Sequence, residues 1–127
     1  MIYPILSVAL GGAFGSVARW LVSNRLNPVF LHLPLGTLVV NLVGSLLIGM
    51  LIALFLKMPT SIDSHWRLFL ITGFCGGFTT FSSFSGEVAL MLQDEAYSWA
   101  FITMASHLLG SLGATFLGFL LIHLTLK

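Results

Sequence analysis

Four long apolar runs, separated by short polar stretches, account for almost the whole chain. They cover about residues 3–26, 35–56, 67–93 and 99–126, and each reaches the roughly 20 residues that a helix needs to cross a bilayer. The pattern predicts an all-α membrane protein in which residues 1–127 form a single four-span transmembrane domain. The first run has no Lys or Arg before Arg19, so we expect a retained span and not a cleaved signal peptide.

The third run is interrupted by the stretch from Gly76 to Gly86, which holds five hydroxyl residues and three glycines. In hydrocarbon every backbone N–H and C=O needs a partner, so weakly helical sequence survives there only when it is buried in protein or lines a cavity. We predict that the third helix is broken mid-membrane, at a transport site. Phe78, Phe81 and Phe84 are spaced to share one side of a helix, either in core packing or along a pore.

Small and polar residues recur at every fourth position in the first two spans. Gly11 and Gly15 form a GxxxG motif, which lets two helix backbones approach closely, either within one subunit or between two. Asn41, Ser45 and Gly49 share one face of the second span. Because an asparagine in hydrocarbon is costly unless it is hydrogen-bonded, Asn41 is either an interhelical contact or a ligand donor.

The fourth span carries two neighbouring stripes, one of small residues and one of polar residues. The small stripe predicts a close-packing face, and the polar stripe adds a track of hydrogen-bonding groups beside it. The small stripe consists of Ser106, Gly110, Ala114 and Gly118, and the polar stripe of His107, Ser111 and Thr115.

Charge is sparse and nearly balanced between the two ends of the predicted bundle. Only 7% of the residues are charged, against about 25% in soluble proteins, and the net charge of +1 gives no basic face for nucleic acid. The end with both termini carries Lys57, Arg67 and Lys127, and the other end carries Arg25 and the deeper Arg19. Since the Lys/Arg bias sets orientation, this balance predicts insertion both ways up and pairing as an antiparallel homodimer.

Amides, hydroxyls and phenyl rings are the chemical groups expected at mid-membrane. Spans one, two and four hold no central carboxylate, which a cation path or a proton-coupled exporter usually needs. Amide and hydroxyl donors, with the positive edges of phenyl rings, suit a small, hard anion instead. No catalytic grouping, metal-ligand cluster or phosphate loop is present in the sequence, so we expect no enzyme. Arg19 either snorkels to the headgroups or has a structural or anion-attracting role.

Three motifs in this four-span chain resemble those of a known family. They are Gly11-Gly12-Ala13-Phe14-Gly15 with the following Arg19-Trp20, then Gly36-Thr37-Leu38-Val39-Val40-Asn41, and then Gly76-Gly77-Phe78-Thr79-Thr80-Phe81-Ser82-Ser83-Phe84-Ser85. With these motifs the chain is similar over essentially its whole length to the Fluc (CrcB) fluoride channels. The resemblance implies an antiparallel, dual-topology homodimer in the bacterial inner membrane, with two pores that let fluoride leave the cell passively. It also implies a structural sodium ion at the dimer centre.

The same resemblance implies roles for individual residues. Asn41, Phe81 and Phe84 match the pore asparagine and the phenylalanine box, and the backbone oxygens of Gly76 and Thr79 match those that hold sodium. His107 occupies a position in the polar track that is often aromatic in the family. The hydroxyl residues expected along the fluoride pore are Thr37, Ser82, Ser83, Ser111 and Thr115.

Two other classes of membrane protein fit the same architecture less well. A small multidrug exporter is also a four-span, dual-topology dimer, but it needs a glutamate in span one, and this chain has none there. A membrane accessory subunit would use the small-residue faces for assembly. That alternative leaves the Phe/Ser/Thr stretch of span three unexplained.

Overall fold

The computed structural model describes residues 1–58 and 64–126, and four of its helical segments are long and apolar enough to cross a membrane. Lys127 and the centre of the loop between spans two and three, residues 59–63, lie outside the described part. We number the helices in chain order, with the two pieces of the third span as α3 and α4. They are α1 (Ile2–Leu26), α2 (Leu35–Lys57), α3 (residues 64–78), α4 (Phe81–Gln93) and α5 (Tyr97–Thr125).

The third span is broken, as the sequence predicts. Within α3 the chain is α-helical over Ser64–Arg67, π-helical over Leu68–Cys75 and α-helical again over Gly76–Phe78. The backbone is then extended at Thr79 (ψ 162) and Thr80 (ψ 118), which separates α3 from α4. The Thr80 hydroxyl accepts a hydrogen bond from the backbone N–H of Ser83 at 3.1 Å and so caps the new helix.

The GxxxG motif of α1 packs inside the subunit, against the π-helical part of α3. A Cβ atom added to Gly11 would lie 2.9 Å from the backbone nitrogen of Phe74, and one added to Gly15 would lie 2.8 Å from that of Phe78. Real Cβ atoms do not approach backbone that closely, so neither position has room for a side chain. The two glycines therefore set the distance between α1 and α3, which settles the choice left open by the motif itself.

The most extensive helix pair, α2 with α5, uses the small-residue stripe of the fourth span. A Cβ atom on Gly118 would lie 2.5 Å from the carbonyl oxygen of Leu46, and one on Gly49 would lie 2.9 Å from the carbonyl carbon of Thr115. Close backbone contact on both sides brings the Asn41 face of α2 next to the polar stripe of α5. The predicted close-packing face is thus the one that builds the site below.

Few large side chains are fully buried in a single subunit. The largest that are fully buried among the described residues are Val40, Thr37, Thr103 and Cys75. The only buried residues of α1 are Gly11 and Gly15. Large apolar side chains cover much of the outer surface instead. In a bilayer such a surface is covered by lipid tails or by another protein. Because lipid tails are as apolar as these side chains, close helix packing and hydrogen bonds hold the subunit together.

Candidate functional site

A groove of about 480 Å³ runs beside the break in the third span. Helices α2, α3, α4 and α5 all contribute to its wall. Seven of the residues singled out from the sequence line it: Asn41, Gly76, Thr79, Phe81, Phe84, Ser111 and Thr115. The groove also includes residues that were not proposed as pore or sodium ligands, namely Gly44, Ser45, Ile48, Ile71, Cys75, Thr80, His107, Leu108 and Leu112.

Asn41 holds the break by a pair of hydrogen bonds to the backbone of one residue, Thr80. Its Oδ1 accepts the backbone N–H of Thr80 at 2.8 Å, and its Nδ2 donates to the carbonyl oxygen of Thr80 at 3.0 Å. These partners are the backbone groups that the interrupted helix releases, and in hydrocarbon they must be satisfied. Of the two roles that the sequence allowed, interhelical contact or ligand donor, Asn41 thus has the first, because it joins α2 to the break in the third span.

The second hydrogen of the Asn41 amide points to His107. The distance between Asn41 Nδ2 and His107 Nδ1 is 2.9 Å. Because Thr80 N–H fixes which atom of the amide is the oxygen, Nδ2 is the donor and Nδ1 the acceptor in this bond. The imidazole hydrogen then lies on Nε2, which is buried and has no partner among the described residues. His107 is 4% exposed, so this N–H is an unused donor inside the protein.

Two phenyl rings follow one another along the open side of the groove. Phe81 is 78% exposed in the single subunit, and its ring centroid lies 5.5 Å from that of Phe84 at an interplanar angle of 63°. The Phe84 ring in turn lies 4.4 Å from the ring of His107. The planes of the two phenyl rings are thus steeply inclined, with the edge of one ring toward the other.

The polar stripe of α5 lines the groove as well, through Ser111 and Thr115. The Thr115 hydroxyl donates to the carbonyl oxygen of Ser45 at 3.1 Å, which ties α5 to α2. This bond uses the hydrogen of the Thr115 hydroxyl, so the hydroxyl has none left for an anion. Ser111 is half-buried, between Thr115 and His107 on the same stripe.

Three predicted pore residues lie outside this groove. Thr37 is buried, and its hydroxyl donates to Glu87 Oε2 at 2.5 Å, while its backbone N–H donates to Asn27 Oδ1 at 3.0 Å. Ser82 and Ser83 are exposed on the first turn of α4. These three residues therefore do not line the groove of the single subunit, and their pore role remains a prediction.

Arg19 is bonded to the backbone at the break. Its Nε donates to the carbonyl oxygen of Gly77 at 3.0 Å, and the side chain is half-buried. This contact links α1 to the last turn of α3 and satisfies a carbonyl just before the helix ends. The sequence allowed Arg19 to snorkel to the headgroups, to attract anions or to have a structural role, and this contact supports the structural role.

Gly76 and Thr79, the residues expected to offer backbone oxygens to sodium, flank that last turn. Both the hydroxyl and the backbone N–H of Thr79 donate to the carbonyl oxygen of Cys75, at 2.9 and 3.0 Å. Gly76 is exposed, and a Cβ atom added there would meet nothing closer than the Ile71 carbonyl oxygen at 3.8 Å. Within one subunit, Gly76 thus leaves open space where a side chain would fit.

Residues 6–119 match the model of a family described as CrcB-like protein, Camphor Resistance (CrcB). The chain belongs to this family. Relatives named fluoride-specific ion channel FluC share about half of its residues over nearly the full length of both chains. That of Serratia proteamaculans is 49% identical over 96% of this chain and 95% of its own, that of Erwinia tasmaniensis 52% over 98% of each, and that of an Escherichia coli strain 50% over 94% and 93%.

Sequence reasoning missed two contacts of this CrcB protein, one in the groove and one outside it. Thr80 caps α4, donates its backbone N–H to Asn41 and accepts a hydrogen bond from the Asn41 amide at its carbonyl oxygen. A threonine three residues before Ser83 at a helix start is a recognisable N-cap signal. The pairing of Glu87 with Thr37 has no such local signal, because the two residues lie 50 positions apart. Only the packing of α4 against α2 brings them together.

Proposed function

We propose that this CrcB protein is a fluoride-selective channel through which fluoride leaves the cell passively, in the inner membrane. The observation that carries the proposal is the groove at the broken helix, whose lining combines an amide, hydroxyls, a buried imidazole and two phenyl rings but no Asp, Glu, Lys or Arg. The relatives that share half of its residues are named for the same activity.

Fluoride is small and strongly hydrated, so a path through hydrocarbon must replace its water with directed donors. The unused Nε2–H of His107 is one such donor, and the Phe81 and Phe84 ring edges add weak positive potential beside it. Asn41 already gives its two N–H groups to Thr80 and His107. We infer that an incoming anion competes for these hydrogens, so that the hydrogen bonds from Asn41 to Thr80 and His107 open as the ion passes.

A second copy of the chain would complete the path. The groove is open on the side where Phe81 and Gly76 are exposed, and an open polar groove cannot face lipid tails. We propose an antiparallel homodimer with two pores, because the near-balance of Lys and Arg favours insertion both ways up. A two-fold axis in the membrane plane then brings the exposed faces of the two subunits together.

The backbone at the break also fits a shared sodium ion. The chain leaves the helical conformation at Thr79, and Gly76 presents bare backbone on the exposed side of the same turn. Carbonyl oxygens of Gly76 and Thr79 would hold the ion, and sodium would supply a fixed positive charge in a site whose lining has no Lys or Arg. Arg19, through Gly77, positions the turn that carries those oxygens.

Fluoride efflux from liposomes that contain the purified protein tests the proposed function. We expect rapid release of fluoride with a potassium ionophore present, no proton gradient required, and no comparable release of chloride. Glu87 favours an exporter, because it is a half-buried carboxylate within a spanning segment, and such carboxylates carry protons in transporters. Release that needs an opposing proton gradient, or no release at all, would contradict the channel.

Phe81→Ile and Phe84→Ile are each expected to slow fluoride efflux at least tenfold. Isoleucine keeps the apolar bulk but removes the ring edge that faces the ion. The measurement is initial efflux rate at equal protein density, after size-exclusion chromatography has verified assembly. Phe14→Ile is the matched control, because Phe14 is also exposed and also packs edge-on against another phenyl ring, that of Phe69, but lies outside the groove. Efflux from both groove variants at the parent rate would leave packing as the role of these rings.

Gly76→Val is expected to abolish the stabilisation of the dimer by sodium, whereas Thr79→Ala should retain it. A Cβ atom at position 76 has room within one subunit and Gly76 is exposed, so we expect the Gly76→Val subunit to fold while its side chain covers the bare backbone. Thr79→Ala removes a hydroxyl that bonds Cys75 and leaves the backbone oxygen in place. The measurement is the thermal midpoint of dimer dissociation in sodium and in a large organic cation. Equal sodium dependence in Gly76→Val and the parent would rule out this site.

A further inference from the structure

A second groove of about 480 Å³ lies at the other end of the α2 and α5 pair, near the last turns of both helices. Its walls are apolar, and its volume is within the roughly 300–1,000 Å³ of ordinary ligand sites. In a bilayer this depth is occupied by lipid chains or by protein. The apolar side chains that line it are Ala53, Leu56, Phe116, Phe119 and Leu120.

Two nitrogen-bearing side chains border this apolar groove. Lys57 is the last residue of α2, and His123 lies in the last turn of α5. The Lys57 ammonium donates one hydrogen to the carbonyl oxygen of Leu126 at 2.8 Å, which fixes the side chain across the end of α5. An ammonium has three hydrogens, so two remain for a ligand at the level where lipid phosphates lie.

The charge around this end favours an anion. Arg67 lies at the same end, with its guanidinium 5.2 Å from the centre of the Phe55 ring and its Nε without a partner among the described residues. The carboxylates of the described residues belong to the far half of the molecule, on α4 or just after it: Glu87, Asp94 and Glu95. At the end that carries Lys57, the described residues thus include two cations that donate to backbone carbonyls, Lys57 to Leu126 and Arg67 to Phe55, and no carboxylate. Asp63 lies outside the described residues.

We infer that this groove binds an anionic phospholipid. One acyl chain lies along the apolar wall between α2 and α5, and the phosphate receives hydrogen bonds from Lys57 and His123. The Phe116 and Phe119 rings, perpendicular to each other at 5.8 Å, form a rigid side of the acyl-chain site. The inference does not rest on fluoride conduction, since no residue of this groove belongs to the site at the broken helix.

Native mass spectrometry of the detergent-purified protein tests the headgroup contact. The protein is mixed with palmitoyl-oleoyl phosphatidylglycerol or with phosphatidylcholine of the same chains, and the retained lipid adducts are counted. We expect phosphatidylglycerol to be preferred, and Lys57→Gln to reduce that preference about fivefold, which corresponds to ~1 kcal/mol for one basic residue at an anionic lipid surface. Arg25→Gln is the control, because Arg25 is also an exposed cation but lies at the opposite end. An unchanged preference in Lys57→Gln would overturn the assignment.

A photo-crosslinker tests what occupies the groove in a membrane. Benzoylphenylalanine in place of Leu120 should give, after illumination in native membranes, a protein whose mass is increased by one phospholipid. Crosslinking of two copies of the chain would show that the groove is a subunit interface, and a protein without any adduct would show that it holds no bound lipid. Either of these two results would overturn the inference.

Discussion

Replacing Asn41 with aspartate is expected to stop fluoride efflux while leaving a folded protein in the membrane. The aspartate keeps the acceptor for Thr80 N–H, but it turns a carboxylate oxygen toward the Thr80 carbonyl, where Nδ2 now donates at 3.0 Å. It also removes the donor to His107 and adds negative charge to an anion path. Losing the hydrogen bond donated to the fluoride ion costs about 1.5–3 kcal/mol, which corresponds to a roughly ten- to hundredfold lower rate. The repulsion from the added negative charge lowers the rate further.

Fluoride efflux from liposomes, at matched protein density, measures this effect. Asn24→Asp is the control, since it makes the same change of charge at an exposed position of α1, away from the groove. That variant should conduct like the parent. Fluoride efflux from Asn41→Asp at the parent rate would exclude Asn41 from the permeation path, and its hydrogen bonds to Thr80 would then be purely structural. A variant that fails to assemble would be replaced by Asn41→Ser, which is expected to conduct at least tenfold more slowly.

Gly15→Ala is expected to destabilise the protein strongly, and Gly12→Ala, three residues earlier on the same helix, is not. A Cβ atom at Gly15 would lie 2.8 Å from the Phe78 backbone nitrogen and in still closer contact with the Phe74 carbonyl oxygen. Backbone cannot move aside as a flexible side chain can, so the cost should reach or exceed the ~1–3 kcal/mol typical of overpacking. At Gly12 the nearest atom, the Gly73 carbonyl oxygen, is 3.9 Å away, which is ordinary van der Waals contact.

The midpoint of thermal unfolding in detergent compares the two variants directly. Both exchange a helical glycine for alanine, so any difference between them reports the helix contact and not helix propensity. Gly118→Ala and Gly113→Ala form a second pair on α5. A Cβ atom at Gly118 would lie 2.5 Å from the Leu46 carbonyl oxygen, whereas one at Gly113 would meet nothing within 4 Å. Equal midpoints within each pair would mean that the helices can separate without loss of stability.

Much of the fold follows from properties of single segments. The length of an apolar run decides whether a helix can cross the bilayer, and each of the four runs meets that length by itself. The break follows from the hydroxyls and glycines of one short stretch, together with the requirement that backbone groups in hydrocarbon be satisfied. The capping of α4 by Thr80 is also a property of a single segment, because its partner Ser83 is only three residues away.

The partners of polar groups depend instead on how the helices pack. The sequence left Asn41 as a contact or a ligand donor, Gly11 and Gly15 as an internal or intersubunit motif, and Arg19 as a snorkelling or structural cation. Each choice involves atoms that are far apart in the chain, as with Arg19 and Gly77, which are separated by 58 positions. No local pattern encodes such a pair.

The sequence by itself determined four spans, the position of the break and the kinds of donor available for an anion, because bilayer thickness and backbone hydrogen bonding act on each segment separately. The tertiary structure decided which of these donors already make hydrogen bonds inside the protein and which are still free to bind an anion. Close contact at Gly49 and Gly118 brings α2 against α5, and this approach sets Asn41 within hydrogen-bonding distance of His107. The free Nε2–H of His107 follows from that contact, because a hydrogen bond at one ring nitrogen fixes which nitrogen carries the hydrogen.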